Sequence, residues 1–140
     1  MLVTNIFTIV FYLLFGSSTS KPLESYTLTV YVTGLESSTG QIICNLHNNE
    51  SSFPKKYIFR KISIIENNKS TIIFSGLTRG VYAITVFHDK NSNGKMDFNI
   101  LHIPSEKTGT SNNVKSLFGL PKFKDSKFWL KKNTTIQIEM

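Results

Sequence analysis

The sequence reads Tyr26-Thr27-Leu28-Thr29-Val30-Tyr31-Val32-Thr33 close to its N-terminal end. Residues on one side of this alternation are apolar, since Leu28, Val30 and Val32 are separated by threonine and tyrosine. A period of two residues is typical of a strand that buries one face. Gly34 ends the pattern. The stretch therefore predicts a half-buried β-strand.

Further segments show strand patterns with turn residues between them, at residues 42–46, 57–65, 71–75, 81–87, 123–130 and 136–140. Within the second of these, Ile58, Ile62 and Ile64 are predicted to face inward. Residues 81–87 form an unbroken run of apolar, β-branched and aromatic side chains, with a single threonine, which indicates a central strand. Gly76 is predicted to end the strand at 71–75.

About seven short strands result, and no segment has the pattern of an amphipathic helix. This combination favours an all-β fold in which two antiparallel sheets pack as one β-sandwich. The domain is predicted to span residues 21–140, without a linker or an internal repeat. Trp129 is predicted to lie in the core beside Phe128.

Residues 1–20 differ from the rest of the chain. An apolar stretch at residues 2–15 is followed by Gly16 and four small polar residues, the order typical of a secretory signal peptide. The alternative is a retained anchor, but the stretch is short for a hydrocarbon core about 30 Å thick. We therefore expect export to the periplasm, the outer envelope or the medium, with no stable membrane span after cleavage.

The composition narrows the function classes. The formal net charge is +7, but the basic residues are scattered, whereas a nucleic-acid binder concentrates them in a stripe. We expect no nucleic-acid partner, and a solvated surface with, as the alternative, weak affinity for anionic polymers or lipid head groups. Cys44 is the only cysteine, so no internal disulfide is possible, and it is predicted to be a buried small hydrophobe.

The most distinctive motif is a polar loop that begins after the predicted central strand. Asp89, Asn91 and Asn93 are spaced two residues apart, Gly94 follows at once, and Asp97 comes next among the acidic residues. Short oxygen-bearing side chains at alternate positions around a tight turn are the first half of a calcium loop. The backbone carbonyl of Lys95 is a further candidate ligand.

The second half of that calcium motif is missing. The twelfth position, where a bidentate Glu belongs, is Ile100, and Lys90 and Lys95 oppose a dication. Glu106 is a candidate for the third carboxylate, and without it binding is expected to be weak. The alternative is a structural loop without metal, because Asn93-Gly94 favours a tight turn and Asx side chains cap their own backbone.

A longer pattern surrounds this loop and resembles the bacterial DUF2141 family, which consists of exported proteins of uncharacterised function. The resemblance covers roughly residues 26–140. The residues that carry it are Leu77, Gly80, Tyr82, Ala83, His88, Asp89, Asn91, Asn93, Gly94, Asp97, Asn99, Pro104, Glu106, Gly109, Ser111 and Asn112. Lys90 and Thr110 depart from the pattern, where an acidic and an aromatic residue are common.

The resemblance implies an immunoglobulin-like or transthyretin-like sandwich and export, and it implies no activity. His88, Gly94, Asn99 and Asn112 are expected to have structural roles in the loop. The turn at Gly80 and Tyr82 is similar to one in carboxypeptidase-regulatory-like domains, where the tyrosine holds a corner of the sheet, as in other sandwiches.

Three functions remain open from the sequence. The first is an exported, non-catalytic binding or structural module, since no nucleophile elbow, phosphate loop or paired catalytic carboxylates occur. The second is a calcium-binding domain braced through residues 89–112. The third is a hydrolase that uses the same acidic loop, with Asp89, Asp97, Glu106 and His88 as its site.

Overall fold

The computed structural model describes residues 23–115 and 121–140, so the predicted signal peptide at residues 1–20 lies outside the described residues. The described part contains eight strands and one short α-helix. Their bounds are β1 Ser25–Thr33, β2 Gln41–His47, β3 Phe59–Ser63, β4 Ser70–Thr78, β5 Gly80–Asp89, β6 Thr108–Thr110, α1 Phe123–Ser126, β7 Phe128–Leu130 and β8 Thr134–Glu139. Within these ranges no helix has the length and apolar character needed to cross a membrane.

The strands form two sheets. The smaller sheet has the order β4-β1-β8, and the larger has the order β3-β2-β5-β6, with β7 also paired to β5. The pairing of β1 with β8 is parallel, while the other strand pairs are antiparallel. The predicted all-β sandwich is confirmed, with β6 as an additional strand inside the segment that lacks a sequence pattern.

The strand order can be compared with the immunoglobulin type, one of the two sandwich types expected from the resemblance. In the immunoglobulin constant arrangement the first, second, fourth and fifth strands share one sheet. Here β1 and β4 lie in the smaller sheet, whereas β2 and β5 lie in the larger. The order therefore differs from the immunoglobulin constant arrangement.

The core lies between the sheets and follows the predicted alternation of β1. Leu28, Val30 and Val32 are fully buried in it, and their partners from the larger sheet include Ile42, Cys44, Leu46, Ile84 and Val86. Burial raises the pKa of the Cys44 thiol, so the thiolate that a nucleophile would need is disfavoured. The expectation of a buried, small hydrophobic cysteine is confirmed.

Two details of the predicted strands are wrong for a shared reason. Ile58, Ile62 and Ile64 are exposed rather than inward-facing, because β3, which contains Ile62 and is flanked by the other two, is the edge of the larger sheet. Trp129 is 62% exposed instead of buried, because it lies in a three-residue strand that pairs only with β5. Strand patterns predict the backbone conformation, but edge positions depend on which strands become neighbours.

Gly76 does not end a strand, as the sequence predicted, but lies inside β4. Its φ of +73° is in the region that glycine adopts at no steric cost. The register between β1 and β4 shifts close by, between Tyr26 and Leu28. Gly76 therefore accommodates an irregularity, and the strand continues to Thr78.

The outer face of the larger sheet is covered instead of facing solvent. Ile43, His47 and Phe87 alternate with core residues along β2 and β5, yet each is at most 4% exposed. The Phe53 ring stacks edge-on against His47, with 4.9 Å between the ring centroids. Burial lowers the pKa of His47, so its imidazole is neutral at pH 7. Loops thus form a third layer over this face.

Candidate functional site

Asp89 anchors the polar loop at the end of β5. It pairs with Gln41 at the start of β2 and is fully buried on the outer face of the larger sheet. Its Oδ1 accepts a hydrogen bond from the backbone N–H of Asn93 (3.0 Å). Its Oδ2 accepts from the backbone N–H of Gly94 (2.8 Å) and from Nε2 of Gln41 (2.8 Å). The carboxylate is therefore held on both oxygens.

The charge state of Asp89 follows from two opposed effects. Burial raises the pKa of this carboxyl, but hydrogen bonds from Gln41, Gly94, Asn93 and Ser92 outweigh it and hold the pKa below its ordinary value. Donors that point at a carboxylate favour its ionised form. Asp89 is therefore an ionised group whose charge is stabilised by the loop that it organises.

Asn91, Asn93 and Asp97 form a second layer of the loop, closer to solvent. The Asp97 carboxylate accepts hydrogen bonds from Nδ2 of Asn91 (2.7 Å) and Nδ2 of Asn93 (3.0 Å). Oδ1 of Asn93 accepts from the backbone N–H of Lys95 (2.8 Å). The alternating side chains that suggest a calcium loop thus close the turn by bonding to one another and to its backbone.

Glu106 reaches back to this turn, as the role of third carboxylate in the loop requires. Oε1 accepts from the backbone N–H of Lys90 (3.2 Å), and Oε2 accepts from the backbone N–H of Asp97 (3.3 Å). The side chain is 9% exposed. It thereby ties the two ends of the acidic turn to the chain that returns to β6. We call Asp89, Asn91, Asn93, Asp97 and Glu106 the loop base.

The loop base brings together the side chains that the sequence singled out as metal ligands. Their carboxylate oxygens are occupied by backbone and amide donors, an arrangement that needs no cation. In the described ranges no group of three or more His, Cys, Asp or Glu residues is placed to hold a metal ion. Calcium binding, with the Lys95 carbonyl as a further ligand, stays a prediction.

Residues 97–105 form a small hairpin that projects from the loop base. The backbone N–H of Ser105 donates to the carbonyl of Asp97 (2.9 Å), and Phe98 pairs with Pro104. Oδ1 of Asn99 accepts from the backbone N–H groups of Leu101 (2.9 Å) and Ile103 (3.0 Å). Asn99 therefore holds the turn.

The end of this hairpin is apolar and exposed. We call residues 98–103 the hairpin tip; it carries Phe98, Ile100, Leu101 and Ile103, each more than half exposed. Ile100 is 97% exposed and Leu101 is 71% exposed. Contiguous exposed apolar side chains on a folded domain mark interaction sites more often than scattered ones do.

The sequence analysis missed the hairpin tip. The available signal was a cluster of four large apolar residues within a segment otherwise rich in Asn, Lys and Asp. It also missed Gln41, whose only signal is a polar residue at the first position of β2. Neither feature belongs to a periodic sequence pattern, so the sequence alone does not distinguish these residues from ordinary loop residues.

His88 is not brought together with the carboxylates. It pairs with Ile42 on the inner face of β5, whereas the next residue, Asp89, points outward, since strand side chains alternate. Its Nε2 lies 2.6 Å from the carbonyl oxygen of Thr39, and the ring is 1% exposed. The geometry thus gives His88 a structural contact and separates it from the other residues of the proposed hydrolytic set.

Other residues with expected structural roles brace the sandwich. The Tyr82 hydroxyl donates to the carbonyl of Thr78 (2.8 Å), which is the geometry of a tyrosine corner. A Cβ atom added at Gly80 would lie 3.4 Å from the Tyr82 ring, so a larger residue there would contact that ring. Asn112, with a φ of +69°, donates from Nδ2 to the carbonyls of Asp125 and Lys127, both at 3.0 Å.

Electrostatic contacts attach the loop to its surroundings. Lys90 and Lys107 both pair with Glu36, at 3.7 Å and 3.5 Å between nitrogen and oxygen. Arg60 of β3 donates from Nη1 to the carbonyl of Gly94 (3.4 Å). Exposed pairs of this kind contribute little stability individually. They connect the loop to Glu36 and to β3.

Comparisons with known proteins give one result. A family model described as an uncharacterized protein conserved in bacteria (DUF2141) matches residues 30–137. The match spans both sheets and the whole loop. No curated protein and no solved structure matches the chain significantly.

Proposed function

The chain belongs to the DUF2141 family, and we propose that it is an exported, non-catalytic binding module that makes its contact through the hairpin tip. One observation carries the proposal: a hairpin held by its own hydrogen bonds presents Ile100 almost fully and Leu101 largely to solvent. Apolar exposure costs free energy in water unless a partner covers it. An ordered hairpin is thus suited to contact.

The non-catalytic part of the proposal is supported by how the carboxylates are used. A general acid or base needs a carboxyl within reach of a substrate. Asp89 is fully buried, and both oxygens of Asp89 and Glu106 accept hydrogen bonds from donors of the chain itself. These groups act as supports for the loop.

The calcium-braced alternative keeps one supporting observation. Asp89 and Asp97 are linked through Asn93, whose backbone N–H and side-chain amide contact the two carboxylates at 3.0 Å each. Rotation of the Asn91 and Asn93 amides would turn oxygens toward Asp97, the donor set that calcium prefers. A calcium titration, described below, separates this alternative from a loop braced by hydrogen bonds alone.

Export is supported by the composition of residues 1–20 alone. The test is expression of the complete coding sequence in a bacterial host, followed by cell fractionation and mass spectrometry of the purified chain. We expect an envelope or secreted fraction and a new N-terminus near residue 20. An intact N-terminus on protein found only in the cytoplasm would contradict export.

The binding role is tested by photo-crosslinking in the same host. The variant Ile100→p-benzoylphenylalanine places a light-activated group at the tip, and Ile64→p-benzoylphenylalanine is the matched control, because Ile64 is also exposed (70%) but lies beyond the end of β3. We expect light-dependent adducts, to protein or lipid, from position 100 alone. No adduct at position 100, or equal adducts at both positions, would rule out the tip as the contact.

A further inference from the structure

The hairpin tip is too narrow for a large protein interface. Its backbone closes between Asn99 and Ile103, where the N–H of Asn99 donates to the carbonyl of Ile103 (2.9 Å). A six-residue tip covers at most a few hundred Å², whereas a specific protein interface buries about 1,000 Å² or more. A lipid bilayer, by contrast, admits an apolar protrusion without matching its shape.

Three backbone amides at the end of the tip, those of Leu101, His102 and Ile103, are already paired within the chain. Oδ1 of Asn99 accepts from the N–H groups of Leu101 and Ile103, and the carbonyl of Asn99 accepts from the N–H of His102 (2.9 Å). Unpaired backbone donors are costly to move out of water. Three consecutive amides therefore enter an apolar phase without losing hydrogen bonds.

Charge favours an anionic surface over a neutral one. The formal net charge of +7 attracts anionic membranes at long range. Close to the hairpin, Lys95 is exposed, and Arg60 donates to the carbonyl of Gly94. Gly94 is three residues before Asp97, so the Arg60 guanidinium lies within roughly 13 Å of the hairpin's first residue.

We propose that the partner of the hairpin tip is the surface of an anionic lipid bilayer, into which Ile100 and Leu101 insert while the net positive charge of the chain attracts it to lipid phosphates. This inference rests on the proposed function and specifies its partner. The tip enters the interfacial layer only, as an amphipathic anchor does. A second copy of the chain or a protein groove would be the alternative occupant.

Tryptophan fluorescence tests insertion at the tip itself. Trp129 is the only tryptophan, so Trp129→Phe provides a silent background in which Ile100→Trp reports on the tip and Ile64→Trp serves as the matched exposed control. The protein is purified after expression of the complete coding sequence. The tryptophan at position 100 reports only on its own surroundings. Membrane insertion of the apolar segment at residues 2–15, if that segment is retained, therefore does not produce the signal.

With vesicles of phosphatidylglycerol and phosphatidylcholine, we expect a blue shift and quenching by brominated acyl chains from Ile100→Trp. We expect neither effect from Ile64→Trp, nor from Ile100→Trp with pure phosphatidylcholine. Raising the salt to about 0.5 M should weaken the interaction, because it screens the charges. No shift at position 100 with anionic vesicles, or equal shifts at both positions, would overturn the inference.

Vesicle flotation with Ile100→Asn/Leu101→Asn gives the second measurement. Loss of two inserted aliphatic side chains should lower the partition coefficient at least about tenfold. Unchanged flotation, or a tip-dependent dimer in light scattering, would overturn the lipid inference. Protein adducts at position 100 without vesicle insertion would contradict the lipid inference but support the proposed binding function. Absence of any adduct would remove the proposed function itself.

Discussion

The loop base and the hairpin tip are neighbours in one loop, and they invert the usual distribution of side chains. The loop base buries a carboxylate and surrounds it with donors, so that Asp89 is fully buried and ionised. The hairpin tip exposes Ile100 and Leu101, residues that normally belong to a core. The polar motif that stands out in the sequence therefore stabilises the loop. The apolar residues of the hairpin tip, which do not stand out, are placed where a partner can contact them.

Removal of the central carboxylate should have the largest effect on this comparison. Asp89→Ala leaves two backbone amides and the Gln41 amide without their acceptor, and we expect the free energy of unfolding to fall by about 3 kcal/mol. Urea unfolding measures the change. Asp97→Ala is the control, with an expected loss of about 1 kcal/mol, because its amide partners are exposed. Equal losses would mean that Asp89 is not the anchor.

Acid should weaken the loop base through the same residue. The folded-state pKa of Asp89 lies below its ordinary value, so its contribution to stability is complete above about pH 4 and is lost as pH falls through the folded-state pKa. Urea unfolding between about pH 6 and about pH 2.5 should show this loss, and Asp89→Asn should show a shallower one. An equally steep profile in the variant would assign acid sensitivity to other groups.

Changes at the hairpin tip should leave stability almost unaffected. Because Ile100 and Leu101 make few contacts in the folded chain, Ile100→Asn/Leu101→Asn should alter the free energy of unfolding by no more than about 0.5 kcal/mol. Leu28→Ala, in the core, should cost about 2 to 5 kcal/mol by the same urea measurement. A large loss at the tip would indicate a packing role that the exposed side chains do not suggest.

Calcium should have the smallest effect if hydrogen bonds alone brace the loop base. In a thermal melt with about 10 mM calcium we then expect a shift in Tm below about 1 °C. A rise of several degrees that disappears in Asp89→Asn would instead establish the calcium-braced alternative. Magnesium at the same concentration controls for ionic strength.

Regular strands were predicted well because their signal is local. The alternation in β1 identifies both its conformation and its buried face, and the unbroken run of β5 identifies a central strand. The inward placement of Ile62 and Trp129 was wrong because exposure at an edge depends on the neighbouring strand, which the local pattern does not contain. The parallel pairing of β1 with β8 is likewise a long-range choice.

By itself the sequence determined the all-β class, the alternating faces of the strands and the position of the polar loop, since each depends on residues close together in the chain. Only the tertiary structure decided the role of that loop's parts. The contact of Gln41 with Asp89 joins residues on two strands, and the return of Glu106 to Lys90 closes a long loop. These long-range contacts hold the buried carboxylates of Asp89 and Glu106 at the base of the loop and leave the apolar hairpin tip exposed.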